Sequence, residues 1–83
     1  MAEWSAAYAY TEANVRARAP MNAGVYRLLS RSSRASHVLY VGQTNNLQWR
    51  LLQHLSPSEP DACIKRYLRD YVCSFRFVEI VSS

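Results

Sequence analysis

The chain has 83 residues, which makes at most one small domain, and a chain of that size buries only about 60% of its unfolded surface. Its residues are 49% hydrophobic and 19% charged, a balance that describes a globular chain rather than a disordered one. No apolar run nears the ~18 residues that would suggest a membrane span, and the N-terminus has no basic stretch leading into an apolar one, so no secretory signal is read. The formal charge is +4, and every basic residue except Lys65 is an arginine. Guanidinium forks match phosphate oxygens, which suits a nucleic-acid partner, although a GC-rich coding sequence yields the same bias. Cys63 and Cys73 are too few for a disulfide scaffold and lack zinc-site spacing. They read as free thiols in a reducing cytoplasm.

In chain order, residues 1–20 form an Ala-rich N-terminal helical extension. Thr11 is placed to cap a helix over 12–18, with Glu12 in its first turn and Arg16 and Arg18 in its last. Pro20 is a stop, and residues 21–83 form the main domain. Met21-Asn22-Ala23-Gly24 turns into a strand over Val25 to Ser30. A short polar stretch, R-S-S-R-A-S, leads to a second strand over His37 to Val41, most simply an antiparallel hairpin.

Asn46 then caps a helix in which Leu47, Leu51 and Leu55, with Leu52 beside them, make an apolar stripe. Arg50 and His54 are four residues apart and share a different face. Ser56-Pro57-Ser58 ends this helix. Another begins with Pro60 and with Asp61 in its first turn, and its stripe is Ile64, Tyr67, Leu68 and Tyr71. Asp61–Lys65 and Arg66–Asp70 are spaced as i,i+4 pairs. S-F-R-F-V-E-I-V alternates as a third strand to about Val81. The expected fold is α/β of the α+β type, a small three-stranded antiparallel sheet flanked by helices.

Gly24-Val25-Tyr26 on the first strand and Tyr40-Val41-Gly42 on the second, followed by Asn46-Leu47, Arg50 and His54 on the helix, resemble the GIY-YIG nuclease superfamily. The resemblance covers residues 22–55 well and 60–81 more loosely, through the order of elements. Valine replaces isoleucine in both tripeptides, and a longer hairpin loop absorbs the slightly long gap between them. The resemblance implies a GIY-YIG-like fold and an endonuclease that hydrolyses phosphodiester bonds of DNA with Mg²⁺ or Mn²⁺. It implies Tyr26 as general base or orienter of the attacking water and Tyr40 as a holder of the phosphate and water network. Arg50 would clamp the scissile phosphate, and His54 would hydrogen-bond a tyrosine or a phosphate oxygen. A phenol with a pKa near 10 is a poor base at pH 7, so Tyr26 needs help from its surroundings.

Each residue also has a plainer explanation. Tyr26 and Tyr40 suit half-buried strand positions, Arg50 a solvated helix face, and His54 a cation at a helix C-terminus. Gly24 and Gly42 suit turns. Family members that cleave DNA usually carry a metal-binding glutamate on a helix after the third strand, and no such residue occurs before Ser83. Glu79, on the last strand, is either a solvent-facing carboxylate or a substitute metal ligand. Glu59, Asp61 and Asp70 are accounted for by helix positions. The alternative to catalysis is a nucleic-acid-binding or protein-interaction module on the same fold. No membrane association is expected, and a homo-oligomer is left open. Convergence of Tyr26, Tyr40, Arg50 and His54 in one place separates the family reading from chance.

Overall fold

The computed structural model describes residues 3–31 and 37–80. Most of the hairpin loop (32–36) and the end of the last predicted strand at Val81 lie outside the described residues. The elements in order are β1 (Tyr8–Ala9), α1 (Glu12–Arg18), β2 (Gly24–Ser30), β3 (His37–Thr44), α2 (Leu47–Leu55), α3 (Ala62–Asp70) and β4 (Cys73–Glu79). The strands form one antiparallel sheet in the order β1-β4-β2-β3.

The fold is therefore of the expected α+β kind, with four strands in place of three. The extra strand, β1, is two residues long and pairs Tyr8 with Phe75 and Ala9 with Ser74. Two residues carry no readable alternation, and their Ala-rich setting gives no strand signal. Further back, Ser5 extends the same edge, its N–H donating to the Phe77 carbonyl at 2.8 Å.

Local chemistry sets the helix ends. The Thr11 hydroxyl accepts from the Asn14 N–H at 3.1 Å, and α1 stops where Ala19 turns extended before Pro20, as a residue preceding proline tends to do. The free N–H groups of the first turn of α2 all find acceptors. Leu47 donates to Asn22 O, Gln48 to Pro20 O and Arg50 to Asn46 O, while Trp49 donates to the Asn46 side chain at 3.0 Å. The 20–22 loop thus fixes where α2 starts, and through it where Arg50 and His54 lie. Asp61 is the N-cap of α3 rather than a first-turn residue, accepting from Cys63 N and Ile64 N.

Tyr71, expected in the buried stripe of α3, is its C-cap and 50% exposed. The two expected pairs on that helix give way to other partners. Lys65 Nζ donates to Pro57 O at 3.2 Å, and Asp70 takes the Arg69 guanidinium at 2.9 Å. Both Asp70 and Arg69 are exposed, so that pair adds little stability.

Helices cover one face of the sheet. Tyr26 and Leu28 on β2 and Phe75 on β4 meet Val15 of α1, Leu47 and Leu51 of α2 and Ile64 of α3 in one buried cluster. The Tyr10 hydroxyl donates to Leu51 O at 2.6 Å, tying the N-terminal segment to the middle of α2. On the opposite face Arg27 lies 3.8 Å from the Trp4 ring centre, a cation–π contact. No described helix is long and apolar enough to cross a membrane.

Leu51 is fully buried at the centre of this cluster. Leu51→Ala is expected to cost about 2–5 kcal/mol through lost transfer energy and the cavity left behind. Urea unfolding followed by tryptophan fluorescence should show a lower midpoint with an unchanged slope.

Candidate active site

The β2–β3 register places Tyr26 opposite Gly42 and Tyr40 opposite Leu28. Both tyrosines therefore point from the same face of the sheet, the one α2 covers. A Cβ on Gly42 would fall on the Tyr26 phenol, with ring atom Cε1 at 2.8 Å. A Cβ on Gly24 would collide with the Val78 carbonyl and come within 2.6 Å of Leu47 Cδ1. Neither glycine has positive φ, and both lie within strands. Turn conformation is thus not their reason. Gly42 makes room for Tyr26, and Gly24 lets α2 approach the sheet.

Helix α2 brings the other two expected residues to this spot. Tyr26 and His54 have ring centres 5.5 Å apart, Tyr40 and His54 5.8 Å, and the two tyrosines 6.1 Å. The Tyr26 hydroxyl and His54 Nε2 are 2.6 Å apart. Arg50, with a quarter of its side chain exposed, stands one turn before His54 and hydrogen-bonds Gln53 Oε1 through Nη1. The polar face of α2 is therefore not a solvated one. His54 is 1% exposed and Tyr26 likewise 1%, while Tyr40 is half-buried. An exposed helix-terminal cation is excluded for His54.

The structure adds a residue that the helix-position explanation of the acids missed. Glu59 is 2% exposed and lies between α2 and α3, outside both. Its Oε2 is 2.8 Å from His54 Nδ1 and 3.8 Å from Arg50 Nη1, and its Oε1 accepts from the Asp61 N–H at 3.0 Å. A buried carboxylate is tolerable when it is so surrounded by donors. The connection explains its position. Glu59 N–H donates to Ser56 O at 3.1 Å, closing a four-residue turn with Pro57 at the second place, where its fixed φ is favourable. The Ser56 hydroxyl also accepts from the Ser58 N–H at 3.2 Å. This turn folds the chain back so that Glu59 returns to His54. The available sequence signal was an acid just beyond a Ser-Pro-Ser turn that follows a histidine.

Burial decides the protonation states. It pushes the Tyr26 phenol up to about 12, with Tyr40 adding to the rise and Arg50 opposing it. It also holds His54 below its usual 6.5, against the Glu59 hydrogen bond that favours the charged ring. Both groups are then neutral at pH 7. A carboxylate only accepts, so the 2.8 Å contact with Glu59 favours the His54 tautomer with its proton on Nδ1. In that tautomer His54 Nε2 is the acceptor for the Tyr26 O–H.

Hard divalent cations take oxygen ligands, commonly with one or two carboxylates. Glu59 has both oxygens engaged. Glu79 shares the sheet face of Tyr26 by alternation, is half-buried, and accepts from Asn22 Nδ2 at 3.2 Å. Among the described residues no three His, Cys, Asp or Glu side chains come together as metal ligands. These residues do not by themselves build a metal centre.

A family model described as the GIY-YIG catalytic domain matches residues 22–83, a span that includes the tyrosines, Arg50, His54 and Glu59. The chain belongs to the GIY-YIG family. This is a nuclease family that acts on nucleic acids, and its nucleases generally use divalent metals. Neither the comparison with curated proteins nor that with solved structures returned a match. The two tripeptides of this GIY-YIG domain have a packing meaning: the glycine of the second is the floor under the tyrosine of the first.

Gly42→Ala should therefore displace the Tyr26 ring. The expected cost is about 1–3 kcal/mol from overpacking, read by urea unfolding, together with a shift of the His54 ring resonances in NMR spectra as its contact with Tyr26 is lost.

Proposed function

We propose that this GIY-YIG domain is an endonuclease that hydrolyses phosphodiester bonds of DNA in the presence of Mg²⁺ or Mn²⁺. The observation that carries this reading is the meeting of Tyr26, Tyr40 and His54 rings within 5.5–6.1 Å, with the part-exposed Arg50 guanidinium on the same helix face as His54. Arg50 has five N–H donors, and those not given to Gln53 are available to a phosphate. In this role it holds the scissile group and offsets the charge that grows on it in the transition state. Tyr40, half-buried, lines the approach and orients the phosphate and its water.

Tyr26 is the proton acceptor. With its pKa at about 12, a free phenolate is scarce at neutral pH, so the hydroxyl works as a relay. The attacking water gives a proton to Tyr26 Oη as the Tyr26 proton passes to His54 Nε2. The water oxygen bonds to phosphorus, the ester P–O bond breaks, and the leaving oxygen takes a proton from solvent. A divalent ion would supply further charge neutralisation at the phosphate. Glu79 is the strand carboxylate on the face of Tyr26, and it stands as the candidate protein ligand alongside phosphate oxygens and water.

A second reading, a nucleic-acid-binding or protein-interaction module without cleavage, is favoured by the lack of a clustered metal-ligand set among the described residues. Cys63 and Cys73 are unpaired, which suits the proposed cytoplasmic setting.

Cleavage of supercoiled plasmid and of labelled duplex and branched DNA should appear with Mg²⁺ or Mn²⁺ and vanish with EDTA. Arg50→Ala should lower kcat on the order of 10²- to 10³-fold, and Tyr26→Phe on the order of 10²- to 10⁴-fold. Salt-sensitive DNA binding with no cleavage under any metal would establish the second reading instead.

A further inference from the structure

Glu59 is a buried acid for which the fold has a simpler use available. An acid at this point in the chain could have capped α3 in solvent, but Asp61 already does so. Instead the carboxylate is withdrawn to 2% exposure and set 2.8 Å from His54 Nδ1. Burying a carboxylate is costly unless every oxygen is met by donors. Here the Asp61 N–H meets Oε1 and His54 meets Oε2, with the Arg50 guanidinium 3.8 Å from Oε2 as a counter-charge. The result is a continuous line from Tyr26 Oη to His54 Nε2, and from His54 Nδ1 to Glu59 Oε2, at 2.6 and 2.8 Å.

We propose that Glu59 is the positioning residue of a Tyr26–His54–Glu59 relay: it locks the Nδ1–H tautomer of His54 so that Nε2 faces Tyr26 as an acceptor, and it balances the imidazolium formed when the Tyr26 proton arrives. The proposal rests on the nuclease reading for its catalytic consequence, but its tautomer claim stands on the ground state alone. The chemistry is the division of labour of a nucleophile, a base and a buried orienting acid, with a phenol relaying the proton of water in the first place. Glu59 is 2% exposed and acts only through His54.

The substitution Glu59→Gln tests this sharply because the Asp61 N–H dictates how the amide lies. That N–H requires an acceptor, so the glutamine carbonyl faces Asp61 and its NH₂ faces His54 Nδ1. The ring must then accept at Nδ1 and carry its proton on Nε2, which opposes the Tyr26 hydroxyl with a donor instead of an acceptor. The volume is conserved while the direction of the hydrogen bonds is reversed.

Two measurements decide the matter. Nitrogen-15 NMR of the histidine ring in the wild-type protein should show a protonated Nδ1 and an unprotonated Nε2 for His54, and the opposite pattern in Glu59→Gln. An Nε2–H tautomer in the wild type overturns the proposal, whether or not the protein cleaves DNA. In single-turnover cleavage, Glu59→Gln should lower kcat on the order of 10²-fold or more with KM little changed. Adding Glu59→Gln to Tyr26→Phe should lower the rate by less than about threefold, because the two residues act as one unit. Full additive losses in the double variant overturn the relay and leave Glu59 a packing residue. Absence of cleavage by the wild type counts against the nuclease reading, and the tautomer result then judges the role of Glu59 by itself. Should Glu59→Gln fail to fold, the wild-type tautomer remains decisive.

Discussion

The hydrogen bond between the Tyr26 hydroxyl and His54 Nε2, 2.6 Å long and buried, is the constraint around which this small domain is arranged. To form it, a phenol on the central strand and an imidazole on a helix must meet beneath the surface. That meeting needs a glycine at position 42 to clear the ring, a glycine at position 24 to admit the helix, and an α2 start fixed by the 20–22 loop. It also requires something at the far side of His54, because an unpaired Nδ1–H in the interior would be costly. Glu59 answers that need, and the turn closed between Ser56 and Glu59 exists in the one place that delivers it.

The same polar line carries a stability burden. A domain of this size has little apolar surface to bury, and it nonetheless spends interior positions on Tyr26, His54 and Glu59, all 2% exposed or less. Replacing such a network with well-packed apolar side chains is often neutral or stabilising. The proposed relay is what gives this polar line a use in a core this small. Tyr10 makes a useful contrast. It too is a buried tyrosine whose phenol is pushed up by burial, but its hydroxyl ends on the Leu51 carbonyl, a backbone group with no proton to exchange. Tyr10 is a strut, and Tyr26 has a titratable partner.

Much of this was readable from local signals. Thr11 and Asn46 are caps because their side chains can accept from N–H groups three residues on, and both do so. The hairpin and the common face of Tyr26 and Tyr40 follow from two short alternating runs joined by a polar loop. What escaped depends on the chain turning back on itself. β1 has too few residues to show a period, and only its pairing with Phe75 and Ser74 makes it a strand. Glu59 reads as a helix-start acid until the Ser56–Glu59 turn is known. The burial of His54 was hidden because a helix face carrying arginine and histidine has the composition of a solvated one. Gly24 and Gly42 stand out as part of the two tripeptides, but their reason is a close approach between elements and not a turn.

The proposed relay requires that His54 be held neutral in the fold, ready to receive a proton from Tyr26. The charged and titratable groups around it are Glu59 and Asp61 from the α2–α3 connection, Arg50 on its own helix, Tyr26 from β2 and Tyr40 from β3. Desolvation is the largest influence and lowers its pKa, while Glu59 pulls the other way. In the unfolded chain the ring titrates near 6.5, so between the folded and unfolded values the unfolded state binds more protons, and stability falls as the pH drops below that point. An NMR titration of the His54 ring in the intact protein, with urea unfolding at matched pH, measures this directly. A neutral buried His54 gives a midpoint below 6.5 and a loss of stability on acidification through that range. A midpoint above about 7 would leave the ring mostly charged at neutrality, a donor at both nitrogens, and rule out the relay.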